Sequence, residues 1–277
     1  MAGPEDGGPE PEKHLGKRPA EEACEPSKRP VVSLSAWLSS PTGNADAGAL
    51  PAPITCQEAY IEDRHSVFIG YAMRLTVASP THISALLDKL TRVIHPAIPV
   101  GKLPPQFRNS APSKRGSTHD MYAFRVMQLK PGRTGLNGPS DFGIEQGKED
   151  DGETWGSDKI MRVIRELGAS DVLVVVSRWY GGELLGPVRF EHITNVARAA
   201  LQAFLMQEQI HDLRAELQRF DQKIAEARQL PYNVNTYQGL RIEQGKRLLL
   251  ARKKTLQVAQ VQMKRHEKKK DNDAALP

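Results

Sequence analysis

Five consecutive residues of this chain invite a chemical reading: Arg178-Trp179-Tyr180-Gly181-Gly182, which end the apolar run Val172–Val176. Paired glycines open backbone angles closed to other residues, so a strand can turn sharply there into a helix start. Arg178 stands at the strand's end, where ligand sites of open α/β sheets gather. Arg189 falls in the first turn of the next helix. Two guanidinium groups beside a helix N-terminus suit an anion such as phosphate. Trp179 and Tyr180 offer faces that stack on bases or on arginine. A structural reading competes: the aromatics fill a core, and Arg178 pairs with Asp151 or Glu153. The candidate binding surface is thus Arg178, Tyr180, Arg189, His119, Asp151 and Glu153, with Gly181, Gly182, Gly186 and Pro187 shaping the turn.

Catalytic chemistry reads poorly. Ser177 lacks a Gly-x-Ser-x-Gly context. His119 and Asp120 are neighbours, so on a strand they face opposite ways. Asp151 and Glu153, two apart, can share a face for a metal or for acid–base work, but nothing nearby completes a ligand set. Capping of the following helix accounts for them better. Two cysteines, Cys24 and Cys56, make neither a disulfide framework nor a zinc site, which suits a reducing compartment. No Walker loop occurs. The expectation is a non-enzyme with no catalytic residue, no metal and no cofactor.

These residues need elements to hold them. Val67, Ile69, Tyr71, Met73, Leu75 and Val77 alternate with smaller or polar residues, the period of a half-buried strand. Ser79-Pro80 starts a helix with the stripe Ile83, Leu86, Leu87, Leu90 and Ile94, and His95-Pro96 ends it. After a loop rich in Pro, Ser and Lys, a second strand carries Tyr122, Phe124 and Val126 on one face. A Gly-rich loop, 131–147, and an acidic cluster from Glu149 to Glu153 follow. A helix from about Ser157 buries Ile160, Val163, Ile164 and Leu167 and stops at Gly168. The strand Asp171–Ser177 is apolar on both faces and should be central.

Pro187 begins a helix that outruns the domain. Ala203, Met206, Ile210, Leu213, Leu217, Phe220, Ile224 and Ala227 form a heptad seam, broken at Pro231. A second seam runs Ile242, Gly245, Leu249, Arg252, Leu256, Ala259, Met263. The expectation is an antiparallel helical hairpin or coiled-coil arm, closing on itself or pairing two chains into a homodimer. The parts are then a Pro-rich disordered tail 1–57, an α+β domain 58–207, an arm helix 208–228, a turn 229–239, a second arm helix 240–270 and a disordered end 271–277. Nine of the 20 prolines precede residue 54. That tail holds Lys17-Arg18 and Lys28-Arg29, which resemble a bipartite nuclear-import signal, and one apolar island, Ser33–Leu38.

Charge is unevenly spread. The stretch Lys246–Lys270 carries ten Lys/Arg against Glu267, leaving −4 for the rest of a chain whose total is +5. The basic tail Lys264, Arg265, Lys268, Lys269 and Lys270 suits RNA, ribosomes, actin filaments or acidic proteins, or is a solvated helix end. No apolar run reaches the ~20 residues of a bilayer span, and the start lacks a secretory h-region. A cytoplasmic protein with access to the nucleus and no membrane partner is expected.

The segment "ASDVLVVVSRWYGGELLGPVRFEHI", with the upstream blocks "STHDMYAFRV" and "DDGE", resembles the signature of the IMPACT family, eukaryotic relatives of bacterial YigZ-type proteins. The resemblance covers about residues 60–207. It implies an α+β fold: a two-layer, mixed-sheet domain resembling the second domain of a small-subunit ribosomal protein. It also implies translational control under amino-acid starvation, by restraint of the kinase that phosphorylates the alpha subunit of initiation factor 2, with partners in that machinery, ribosomes or actin. Members usually carry an N-terminal RWD domain, which the Pro-rich tail does not resemble. The family's small residues after DDGE are replaced here by Trp155 and Asp158, expected to obstruct and repel a phosphate at that loop. The alternative to a regulatory adaptor is an RNA-binding protein using the Arg-Trp-Tyr-Gly-Gly corner and the basic tail.

Overall fold

The computed structural model describes residues 50–274, with side chains described through Arg265. The import signal, the apolar island and most of the tail lie outside the described residues. Five strands form one sheet: β1 (Tyr60–Asp63), β2 (Ser66–Arg74), β3 (His119–Leu129), β4 (Phe142–Glu149) and β5 (Val172–Trp179). Their order is β1-β2-β5-β3-β4, and every pairing is antiparallel. The α+β class stands, but the sheet is not mixed. β5 takes the central place that its unbroken apolar run demands, and all eight of its residues are buried.

Alternation along β5 splits the core in two. Val172, Val174 and Val176 face a cluster with α2 (Gly156–Glu166) and α3 (Val188–Arg228), through Ile160, Ile164, Ile193, Val196 and Phe204. Leu173, Val175 and Trp179 face the opposite side, where α1 (Pro80–Lys89) and the turns up to Phe107 supply Ile83, Leu86, Leu90 and Leu103. The sheet is therefore covered on both faces, giving three layers where two were expected. Gly70 lets α3 lie this close: a Cβ there would sit 2.2 Å from the Val196 carbonyl oxygen.

Other boundaries differ from the sequence reading. β1 and β4 are edge strands that the sequence reading left out, β1 inside the domain but with only four residues and β4 within the expected loop, mostly exposed and carrying two glycines. Order also begins before residue 58, with an antiparallel bridge between Ile54 and Ala72. His95-Pro96 does not stop the first helix. A π-helical stretch, Leu90–Ile94, carries it on to Ala97. Proline has no N–H to donate and crowds the preceding turn, and the wider turn accommodates it.

The arm corrects a larger expectation. α4 (Ile242–Ala274) packs on α3 within the same chain, but the two helices run in the same direction. A Cβ on Gly245 would lie 3.1 Å from Leu213 Cδ1, Arg252 Nε pairs with Asp221 Oδ1 at 2.5 Å, and Lys253 lies over Phe220. An antiparallel hairpin turning at Pro231 would instead put Gly245 beside the last turns of α3. The connection 229–241 makes the difference. It doubles back along α3, with Gln218 Nε2 donating to the Asn235 carbonyl (3.1 Å) and Tyr237 Oη donating to Asp221. Thirteen residues at ~3.3 Å each easily retrace the ~22 Å of helix from Arg228 to Leu213. The two seams then run side by side, Leu213 beside Gly245 and Leu217 in one cluster with Leu249.

Candidate functional site

Alternation that sends Trp179 to one face sends Arg178 to the other. Trp179 is fully buried and donates from Nε1 to the Arg115 carbonyl at 2.9 Å, so it is core and not a stacking platform. Arg178, 5% exposed, lies over the Phe68 ring at 5.3 Å and points toward the start of α3. Glu153 meets it there. Arg178 Nη1 donates to Glu153 Oε2, and Arg189 Nε donates to Glu153 Oε1 at 2.6 Å. One carboxylate thus bridges two guanidinium groups, a buried arrangement whose desolvation is offset by the charge-assisted bonds.

The corner is bolted from several sides. Thr118 N and Oγ1 both donate to the Arg178 carbonyl at 2.7 Å, and Gly181 N donates to Ser66 Oγ at 3.0 Å. The glycines divide the labour. Gly181 provides space, since a Cβ there would lie 2.1 Å from the His65 carbonyl carbon. Gly182 (φ 94°) and Gly186 (φ 59°) provide the left-handed turns that lead through Pro187 into α3.

Around this corner is a cleft of about 350 Å³ lined by His119, Glu153, Arg178, Tyr180 and Arg189, with Leu184, Leu185 and Gly186 beside them. Five of the six candidate residues therefore converge. Asp151 does not. It is exposed, and its Oδ2 accepts from Asp120 N at 2.6 Å, so it neither shares a face with Glu153 nor caps the next helix. The cap is Asp150, which accepts from Ser157 N (2.9 Å), Ser157 Oγ (2.6 Å) and Trp155 N (3.1 Å). Partial burial raises the Asp150 carboxyl, but the bonds from Ser157 and Trp155 outweigh it and hold the group below its ordinary range. Trp155 is 65% exposed and lies outside the lining, and Asp158 pairs with Lys148, so neither obstructs the cleft as their sequence positions suggested.

A second polar cluster lies under the other face of β5, unseen in the sequence. His95 Nε2 lies 3.1 Å from Ser177 Oγ and 3.9 Å from Asp120 Oδ1, and Ser117 Oγ donates to Asp120 Oδ2 at 2.6 Å. His95 packs edge-on against Trp179 at 4.9 Å. Burial pulls the imidazole down to about 4, against the opposing effect of Asp120. His95 and Ser177 are both fully buried, so no substrate reaches this Ser–His–Asp set, and its bonds serve the core. His95 and Ser177 lie 82 apart in sequence; the β3–β5 pairing sets Asp120 opposite Ser177, and the helical turn His95–Ala97 brings the imidazole to both.

Among the described residues no group of three His, Cys, Asp or Glu is placed to hold a metal ion, and no helix is long and apolar enough to cross a membrane. Of the basic tail, Lys264 and Arg265 are exposed on α4; the side chains of Lys268, Lys269 and Lys270 lie outside the described residues.

With this geometry in place, similarity to known proteins is informative. The family described as the Impact N-terminal domain matches residues 64–201, which take in β2 to β5, the corner and the first turns of α3. This chain belongs to the IMPACT family. Protein IMPACT of Xenopus laevis is 34% identical over 158 residues, 57% of this chain and 41% of that protein. Protein IMPACT of Mus musculus is 32% identical over 176 residues, 64% of this chain and 45% of its own length. The chain thus spans less than half the length of the curated IMPACT proteins it matches. A solved structure described as the two-domain translational regulator Yih1 is 26% identical, with a TM-score of 0.30, covering 66% of this chain and 54% of that one.

Proposed function

We propose that this IMPACT-family chain is a non-enzymatic adaptor in translational control, engaging the ribosome or a protein of the starvation-responsive initiation factor 2 alpha kinase pathway in the cytoplasm. Family membership supports the translational setting. The observation that carries the adaptor reading is the arm. Parallel pairing holds α4 beside α3 only as far as the last turn of α3, near Arg228. The stretch of α4 beyond it carries the densest basic run of the chain, Lys264 to Lys270, away from a domain whose charges nearly balance. Such a geometry presents cationic charge to a partner while the domain stays clear. The corner supports the non-catalytic half of the reading, because the one carboxylate in the cleft is spent on two guanidinium groups.

Co-sedimentation with ribosomes tests this. Binding should fall steeply as salt rises, and changing Lys264, Arg265, Lys268, Lys269 and Lys270 to Gln should release most of the protein and flatten the salt dependence. Sedimentation equal to that of the unaltered chain at every salt concentration would reject the role of the arm.

A further inference from the structure

The Arg178–Glu153–Arg189 corner has donors left over. Glu153 occupies only Arg178 Nη1 and Arg189 Nε, and Arg189 Nη1 donates to the Gly186 carbonyl at 2.8 Å. Arg178 Nη2, Arg189 Nη2 and Tyr180 Oη make no hydrogen bond among the described residues. His119 turns Nδ1 to the Asp151 carbonyl at 2.7 Å, which leaves Nε2 as its remaining polar atom. Two fixed positive charges face one negative charge, so the cleft keeps an excess cation. The first turn of α3, a 41-residue helix with no side-chain cap, adds its positive end at Gly186 and Arg189. A guanidinium has five donors in one fork, so each arginine can hold Glu153 and a second acceptor together.

The other end of the cleft is apolar. Tyr180 is half-buried with its ring 5.4 Å from the Arg178 guanidinium, and Leu184 stands 85% exposed. A flat body laid on Tyr180 would keep an attached anion within reach of both arginines. The volume, about 350 Å³, lies inside the ~300–1,000 Å³ range of small-molecule sites.

We propose that this cleft binds a nucleoside monophosphate, free or as the 5′ end of an RNA strand, with the phosphate on Arg178 and Arg189 and the base on Tyr180. Aromatic stacking tolerates any base, so selectivity rests on the terminal phosphate and not on sequence. The site stands apart from the basic end of α4 and does not depend on the translational reading. Its failure would leave the ribosome result untouched, and the reverse holds too.

Calorimetric titration of the full chain tests it with AMP, adenosine, inorganic phosphate, a phosphoserine peptide, and one short RNA carrying a 5′-phosphate or a 5′-hydroxyl. AMP and the 5′-phosphorylated RNA should bind at least ~10-fold more tightly than adenosine and the 5′-hydroxyl RNA, a difference of about 1.4 kcal/mol. Arg189→Gln should cost ~10-fold or more for both phosphorylated ligands. Arg189 is partly exposed, so the variant should keep the thermal transition of the parent; if it does not, Arg189→Lys keeps the charge, loses the fork, and should weaken AMP by several-fold. Tyr180→Leu should weaken AMP and leave inorganic phosphate unchanged. Equal binding of the two RNAs, tighter binding of the phosphoserine peptide than of AMP, or no binding of any phosphate would each overturn the proposal.

Discussion

Trp155 holds a left-handed backbone at φ 72° while its side chain stands 65% exposed. A bulky residue costs about 1–2 kcal/mol in that region, and little packing offsets it here. Trp155→Gly should therefore stabilise the domain by about 0.5–1 kcal/mol net of the extra freedom glycine gains when unfolded, raising Tm by roughly 1–4 °C. A fall in Tm would show that the indole packs in solution. His95 makes the opposite kind of contribution. Burial keeps it neutral in the folded chain down to about 4. The unfolded chain takes up that proton near ~6.5, so stability is complete above this pH and drains away as pH falls toward 4. Urea midpoints at pH 7.5 and 5 should differ in that sense, and His95→Gln should shrink the difference even while lowering both midpoints. At this scale the sequence was partly legible. Alternation alone separates Arg178 from Trp179, and Glu153 was one of two carboxylates weighed for Arg178. What could not be read was Asp150 as the cap, because three carboxylates stand within four residues and loop geometry, not spacing, selects among them. His95 also escaped, because its partners come from a strand far along the chain.

Elements show the same division. β2 and the helix stripes were plain because each carries a period, and β5 was plain because its apolar run is unbroken. β1 and β4 bury little and carry neither. The arm seams were read residue by residue, yet their direction was not, because a heptad pattern is the same in either orientation. Direction was set by the connection, whose Tyr232, Asn235 and Tyr237 bond back onto α3 and not across a tight turn. A cross-link decides between the two arrangements. The Cβ position of Gly245 lies 3.5 Å from Leu213 Cβ, within the ~3.5–4.5 Å span of a disulfide. With Cys24 and Cys56 replaced by Ser, Leu213→Cys with Gly245→Cys should oxidise quantitatively within one chain at low protein concentration. An antiparallel hairpin would leave those thiols free or join two chains, so either of these products would refute the parallel register.

At the scale of the whole molecule, α3 belongs to two structures at once. Its first half closes the sheet core through Ile193, Val196 and Phe204, and its second half gives Leu213 and Leu217 to the arm. The division falls near Glu208, whose carboxylate pairs with Arg74 at the end of β2. Because α4 covers the α3 seam within the same chain, the apolar stripe that would otherwise recruit a second copy is already satisfied. The full chain should accordingly be a monomer by sedimentation equilibrium. Two truncations sharpen this expectation. A chain ending at residue 208 loses the seam and keeps the domain core, so it should remain monomeric with a cooperative thermal transition. A chain ending at residue 228 keeps Leu213, Leu217, Phe220 and Ile224 on a bare helix, and should self-associate with concentration as one α3 replaces the missing α4 of another. Each buried leucine contributes ~1.5–3 kcal/mol, so several together suffice to drive pairing at micromolar concentrations. Monomeric behaviour of the 228-residue chain, with its helix content intact, would mean that the arm is held by the domain rather than by its seam. The parallel pairing would then owe its stability to polar contacts such as Arg252–Asp221.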